Sequence, residues 1–354
     1  MQPGDNSEVL QSQVAAAFHS KRPLKIQGGN SKAFYGRKVS GEILNTSGHQ
    51  GILNYEPTEL VITARAGTPL KDIQQTLHDS NQLLPFEPPA FGDSATIGGT
   101  IAGNFSGPMR AYSGAARDFV LGCRMLNGKG ELMSFGGEVM KNVAGYDVSR
   151  LMCGALGNLG VLLDISLKVI PVSEQHLTLV LELEREQALQ KLHQWSQHPF
   201  PITASSYIDS KLYIRFSGTP SSLQAAQENI GGEVLESSGS FWESIREQTH
   251  AYFQSQTNLW RISLPSTAAS LPLTGEWLYE WGGALRWLIS DGPTEKIREL
   301  VSQHQGHATL FRSQQKISQV FHPLDAGLLK LHRNLKHSFD PENILNPGVM
   351  YADV

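Results

Sequence analysis

The 354-residue sequence is short of several things, and each shortage closes off a class of function. It has two cysteines, Cys123 and Cys153, too few to ligate an iron–sulfur cluster or build a zinc site alone. Both read as apolar side chains in a reducing cytoplasm. There is no long basic run, and the net charge is -4, so a phosphate-neutralising nucleic-acid surface is not expected. No window approaches about 18 uninterrupted apolar residues, so no membrane-spanning helix is expected. The opening MQPGDNSEVLQSQV lacks the basic-then-apolar order of a signal peptide.

Two familiar phosphate loops are also missing. The segment GCRMLNGK (122–129) has five residues between its glycines, and Gly130 stands where a P-loop needs a hydroxyl. GALGNLG (154–160) is G-x-x-G-x-x-G and precedes a strand, so the Rossmann spacing fails as well.

What the chain does have is glycine. Seven glycines (92, 98, 99, 103, 107, 114, 122) are packed into one stretch of the sequence. Three glycine-rich turns stand out: QGGNSK (27–32), TIGGTIAGNFSG (96–107) and CGALGNLG (153–160). Such turns expose backbone N–H groups and allow close approach, which suits a dinucleotide pyrophosphate in an extended groove. Tight packing of turns in a compact α+β domain is the alternative.

Length and 40% apolar content suit about two domains. Apolar spacing predicts a helix over Ser7–Ser20, and a strand at 24–29 running into the first glycine turn. A second strand is expected at 59–67, then a helix at 68–81 with Thr68 as N-cap. The NGKG sequence (127–130) marks a hairpin with positive φ at both Asn127 and Gly128. Alternation over 160–171 predicts a strand with Val161, Leu163, Ile165, Leu167 and Val169 on one face. From about 175 the pattern becomes β-α-β-β-α-β, which predicts an antiparallel sheet covered by helices. Five of the six tryptophans lie between 240 and 290. The last helix should span Pro323–Phe339, with Lys330, His332, Arg333 and Lys336 on a solvated face.

KIQGGNSK, ITARAGTPLKDIQQTL, ATIGGTIAGNFSGPMRAYSGAARDFVLG, KNVAGYDVSRLMCGALGNLGVLLDISLKVIP and FDPENILNPG, in that order, resemble the FAD-binding domain of the vanillyl-alcohol-oxidase (PCMH) type flavoproteins. More narrowly, GALRWL, GHATLFR and the short length resemble the FAD-binding E-subunit family of bacterial glycolate oxidase (glycolate dehydrogenase) complexes. The resemblance implies an α+β chain: a two-subdomain FAD-binding domain over 1–172, an antiparallel-sheet α+β cap over 173–320, and a tail over 321–354 returning to the first domain. It also implies site residues. Gly28, Gly29, Asn30 and Ser31 would give N–H groups to the FAD pyrophosphate. Pro88 and Thr96, Ile97, Gly98 and Gly99 would line the flavin. Asn104, Ser106 and Gly107 would hold the pyrophosphate from the other side. Asn158, Gly160 and Val161 would touch the adenosine half, and Asn346 would close over the isoalloxazine ring. Ser31 stands where covalent relatives carry histidine, which implies non-covalent FAD.

The implied function is oxidation of a small 2-hydroxy acid, glycolate, to glyoxylate. The implied partners are a larger FAD-containing subunit and an iron–sulfur subunit, the only route by which the complex would reach a membrane. Larger relatives carry a histidine-rich metal motif that this sequence lacks; its nearest approach is HQGH (304–307). Arg286 and Arg312 are therefore the candidates for a substrate carboxylate, with His307 as base. Lys141 and Tyr146 read as structural. Two alternatives stay open: a stand-alone FAD oxidoreductase for a hydroxy acid or alditol, and a non-catalytic assembly subunit.

Overall fold

A computed structural model describes residues 3–137, 147–314 and 319–354; Lys141 and Tyr146 lie outside them. The chain divides into two compact units. The first comprises residues 1–106, 115–171 and 323–354; the second comprises 107–114 and 172–322.

In the first unit, helix α1 (Ser7–Ser20) buries Leu10, Val14 and Ala17. Strands β1 (Leu24–Gln27) and β2 (Glu42–Asn45) pair in parallel. A five-stranded antiparallel sheet runs in the order β3 (Ile52–Glu56), β4 (Val61–Arg65), β8 (Val161–Lys168), β6 (Val120–Leu126), β7 (Leu132–Gly136). The short β5 (Gln82–Leu83) and β9 (Ile170–Pro171) pair separately.

Strand β8 departs from the expected one-sided alternation, because all of Val161–Leu167 is buried. Apolar layers cover both faces. Val161 and Leu163 join a cluster with Leu10 and Val14 of α1. Leu162, Ile165 and Leu167 join another with Ile73 and Leu77 of α2 (Leu70–His78) and with Ile97 and Ile101 of α3 (Ile97–Gly103).

Two local expectations are corrected. Thr68 does not cap α2: its hydroxyl donates to Arg65 O at 2.7 Å and accepts from Gly51 N at 2.9 Å, so it ties two loops together. The β6–β7 hairpin forms, but positive φ falls on Gly130 (79°), not on Asn127 or Gly128. Asn127 Oδ1 instead accepts from the N–H groups of Lys129 and Glu131, both at 2.9 Å, which closes a longer loop.

In the second unit, strands β10 (Gln175–Glu182), β11 (Ile202–Ile208), β12 (Lys211–Gly218), β13 (Glu233–Val234), β14 (Leu259–Ser263), β15 (Glu276–Glu280), β16 (Leu285–Ile289) and β17 (His307–Arg312) form one antiparallel sheet. Its order is β13-β10-β12-β11-β15-β16-β14-β17. Leu212, Ile214 and Phe216 of β12 alternate inward against Ala188 and Leu192 of helix Arg185–Trp195, and against Leu223 and Ala226 of helix Pro220–Ile230. Trp260, Ile262, Leu288 and Ala308 pack on Ile297 and Val301 of helix Thr294–Gln303.

Helix Ala326–Phe339 belongs to the first unit. Lys330 and Arg333 are exposed on it, but Lys336 is buried, which corrects the expected solvated face. Its ammonium donates to Asn158 O, Asp340 Oδ2 and Leu345 O at 2.7–2.8 Å, so all three of its protons are used. Burial lowers its pKa, while Asp340 opposes the shift. Asp340 in turn accepts from the N–H groups of Ile344 and Leu345, at 3.1 and 2.7 Å. Past this pair, the tail bridges Leu345 to Leu24 of β1 in parallel.

Burial raises both cysteine thiols, Cys123 to about 11 and Cys153 to about 12. At neutral pH they stay protonated and unreactive. No helix among the described residues is long and apolar enough to cross a membrane.

Candidate functional site

The three glycine turns meet in the first unit. A Cβ on Gly29 would sit 1.4 Å from Ser94 O, so only glycine lets the first turn lie on that segment. Ser94 Oγ also donates to Gly29 O at 2.5 Å. The third turn lies against the second: Gly154 N and Leu156 N donate to Ile101 O and Ala102 O, at 3.1 and 3.0 Å. Asn346 joins the third turn to β1, accepting from Ile26 N and donating to Leu156 O, both at 2.7 Å. Both polar ends of its side chain are thus spent on backbone, which makes it a brace.

The turns differ in what they leave open. Among the described residues, none of the main-chain N–H groups of Gly28, Gly29, Asn30 and Ser31 donates within the protein. They follow β1 through Asn30 at φ 61°, a left-handed conformation that asparagine tolerates. By contrast, Ile97 N, Gly98 N and Gly99 N are engaged by Thr68 O, Ala66 O and Thr96 Oγ1. The donors therefore come from the first turn, and the second turn caps and packs. Ile97 and Val161 are 0% exposed, so they support the site from behind and do not line it. Gly160 is likewise a packing position, since a Cβ there would lie 2.0 Å from Met125 Cε.

Among the candidate site residues, two further side-chain polar atoms lack partners. Asn104 Oδ1 and Asn158 Oδ1 are buried without a hydrogen bond. Leaving such an atom unmade costs about 1–3 kcal/mol, so each points to a ligand donor. Asn104 also holds φ 50° at the end of α3. Ser106 Oγ accepts from Ala116 N at 3.1 Å. Pro88 is buried in the loop before Phe91. Lys32, which sequence reasoning passed over at the end of QGGNSK, donates to Ala90 O at 3.1 Å and to Ser31 Oγ at 3.4 Å. Four open N–H donors in a row suit a pyrophosphate, and two orphan carbonyls suit hydroxyl or amine donors. This donor set fits FAD.

Gly107 groups with the second unit, where its carbonyl accepts the Trp281 indole N–H at 3.0 Å. The three catalytic candidates also lie in that unit, and they do not converge. Arg286 is 0% exposed; its guanidinium donates to Gly283 O, Ala268 O and Ala269 O. It holds a turn together through three of its five N–H donors, and its full burial argues against the expected role at a substrate carboxylate. It is also in register with Ile262, whereas His307 pairs with Ser263. Successive residues face opposite sides of a sheet, so Arg286 and His307 point away from each other. Arg312 sits at the far end of β17 from His307, half-buried over the Phe311 ring. His307 is exposed at the start of β17, yet crowding of its ring lowers its pKa, helped by the charges of Arg261 and His322. His304 of the HQGH segment hydrogen-bonds Leu300 O through Nδ1.

Residues 1–136 match the FAD binding domain family. The chain is 48% identical over 350 residues to glycolate oxidase subunit GlcE of Escherichia coli, covering 99% of each. It is 32% identical over 129 residues to glycolate oxidase subunit GlcD of Bacillus subtilis, covering 36% of this chain and 27% of that one. A solved alkyldihydroxyacetonephosphate synthase shares the fold with TM-score 0.67 at 13% identity, over 96% of this chain and 75% of that chain. The protein is an FAD-binding oxidoreductase of the PCMH-type superfamily. Within it, the chain belongs to the glycolate oxidase subunit GlcE family.

Proposed function

We propose that this chain is the FAD-binding subunit of a glycolate oxidase assembly that converts glycolate to glyoxylate and passes the electrons to an iron–sulfur subunit. The observation that carries this reading is the 48% identity to a GlcE subunit over 99% of both chains. Two cysteines with raised pKa values cannot hold a cluster, so the onward carrier belongs to another chain. A larger FAD-containing subunit completes the assembly.

Bound FAD supplies a two-electron acceptor. The open N–H row of Gly28–Ser31 holds its pyrophosphate, and Asn104 and Asn158 accept from its hydroxyl or amine donors. Ser31 offers no imidazole for a flavin link, so the cofactor is bound non-covalently. His307 has a pKa below the usual 6.5, so at pH 7 its imidazole is neutral and able to take the hydroxyl proton.

A second reading gives this chain only FAD binding, with turnover completed by another subunit. It is favoured by one observation: Arg286 is consumed by backbone carbonyls, and Arg312 and His307 stand at opposite ends of β17. Glycolate-dependent reduction of an artificial acceptor separates the readings. Turnover by the purified chain supports the first, and turnover only by the assembly supports the second. In the first case the rate should rise with pH through a midpoint below 6.5 and then level off, since the base works unprotonated, and His307→Gln should remove that step. No glycolate-dependent reduction by either preparation overturns both.

A further inference from the structure

The third glycine turn is bent into a conformation that needs outside support. Gly154, Leu156 and Gly157 hold φ 85°, 52° and 71°, all left-handed, and leucine is a poor occupant of that region. Such backbone persists only where its surroundings over-determine it, and it gathers at ligand sites. The second glycine turn supplies part of the hold, through Ile101 O and Ala102 O on Gly154 N and Leu156 N. The rest falls on two carbonyls of the turn itself. Leu156 O accepts from Asn346 Nδ2 at 2.7 Å, and Asn158 O accepts from Lys336 Nζ at 2.8 Å. Asn158 N meanwhile donates to Ala155 O at 2.8 Å, so both main-chain polar groups of Asn158 are fixed.

Both clamping side chains come from the C-terminal segment, and both are themselves fastened. Lys336 Nζ also donates to Asp340 Oδ2 and Leu345 O, at 2.8 and 2.7 Å, while Asp340 accepts from the N–H groups of Ile344 and Leu345. Asn346 N donates to Leu24 O at 3.0 Å, and its Oδ1 accepts from Ile26 N at 2.7 Å, which ties the clamp to β1. Strand β1 leads directly into the open N–H row of Gly28–Ser31. The fit is close, since a Cβ at Gly157 would lie 2.8 Å from Asn346 Nδ2 and 3.1 Å from Ile26 Cδ1. Lys336 and Asn158 are buried, and a charge-assisted bond out of water is a strong one. One polar atom inside this clamp is left over: Asn158 Oδ1, buried without a hydrogen bond.

We infer that Lys336 is a positioning residue for the cofactor: by clamping the Asn158 main chain, it holds the Asn158 side-chain oxygen ready for a hydroxyl or amine donor of FAD. Lys336 touches no reacting atom and acts through Asn158. The inference rests on the reading of Asn158 as an FAD acceptor, and it adds a consequence for the C-terminal segment. Coupling between two binding events is reciprocal. A docked segment that raises FAD affinity is itself held more tightly, by the same factor, once FAD is bound.

Titration of the deflavinated full-length protein with FAD tests the assignment without turnover. Asn158→Ala and Lys336→Met should each weaken FAD binding about tenfold, the loss expected of one hydrogen bond. Combined, they should weaken it only about as much as Asn158→Ala alone, because Lys336 acts through Asn158. Two independent losses would instead multiply to about a hundredfold. Leu77→Ala empties a buried position of α2 and should lower Tm while leaving FAD affinity in place. Should Lys336→Met fail to fold, hydrogen exchange of the parent protein carries the test. Saturating FAD should slow the Leu345 and Asn346 amides by a larger factor than those of α2. An unchanged affinity in folded Lys336→Met, multiplied losses in the double variant, an equal loss in Leu77→Ala, or no preferential slowing at Leu345 and Asn346 overturns the positioning role. Affinity unchanged in Asn158→Ala overturns the FAD reading of Asn158 and the role of Lys336 with it. A loss in Asn158→Ala but not in Lys336→Met keeps that reading and removes only the part given to Lys336.

Discussion

Gly29 and Gly239 make a matched pair at the scale of single residues. A methyl group at Gly29 would lie 1.4 Å from Ser94 O, whereas one at Gly239 would meet no atom within 4 Å. Gly29→Ala must therefore push the first turn off Ser94 and misalign the open N–H row that follows β1. FAD affinity should fall by about tenfold or more, close to 1.4 kcal/mol, read as flavin absorbance per protein after gel filtration. Gly239→Ala should keep its flavin. The glycines were legible in the sequence as a class, because bare backbone in three places has few uses. Which turn presents donors was not, since that depends on whether Thr68 O and Ala66 O reach Ile97 and Gly98 first. Arg286 shows the same limit. A guanidinium in a strand reads as a ligand until its carbonyl partners at Gly283 and Ala269 are seen.

Helix Ala326–Phe339 carries the largest misreading among the elements. Four basic residues in seven suggest a wet face, but a lysine four residues before an aspartate closes a buried pair here, with both partners at most 4% exposed. Lys336 also holds Asn158 O and Leu345 O, so one side chain links the helix, the third glycine turn and the tail. Lys336→Met leaves the Asp340 charge buried without its counter-ion and should cost about 3–5 kcal/mol, seen as a lower Tm, and should also reduce FAD retention. Lys336→Arg cannot reproduce three converging short bonds and should be destabilised as well. Elsewhere, element positions followed the sequence closely. The strand Lys211–Gly218 and the helix Arg185–Trp195 lie close to the 211–217 and 185–197 that alternation and spacing predict, because each buries one face and leaves the other wetter. Strand β8 did not read correctly in detail, because burial on both faces erases alternation.

For the whole molecule, the order of five sequence blocks pointed to an FAD-binding chain, and membership of the GlcE family agrees with it. Block order survives because each block is a local turn with its own backbone demands. Long-range placement is the part that local patterns do not encode. Residues 107–114 group with the second unit, where Arg110 and Arg261, distant in sequence, both lie over the Trp281 ring. The reading of this chain as a glycolate-oxidising flavoprotein subunit is tested most directly by a single anaerobic turnover. Glycolate added without oxygen to the FAD-loaded protein, alone and then within its assembly, should bleach the visible flavin band and yield one glyoxylate per FAD. A flavin band that stays unchanged in both preparations would contradict it.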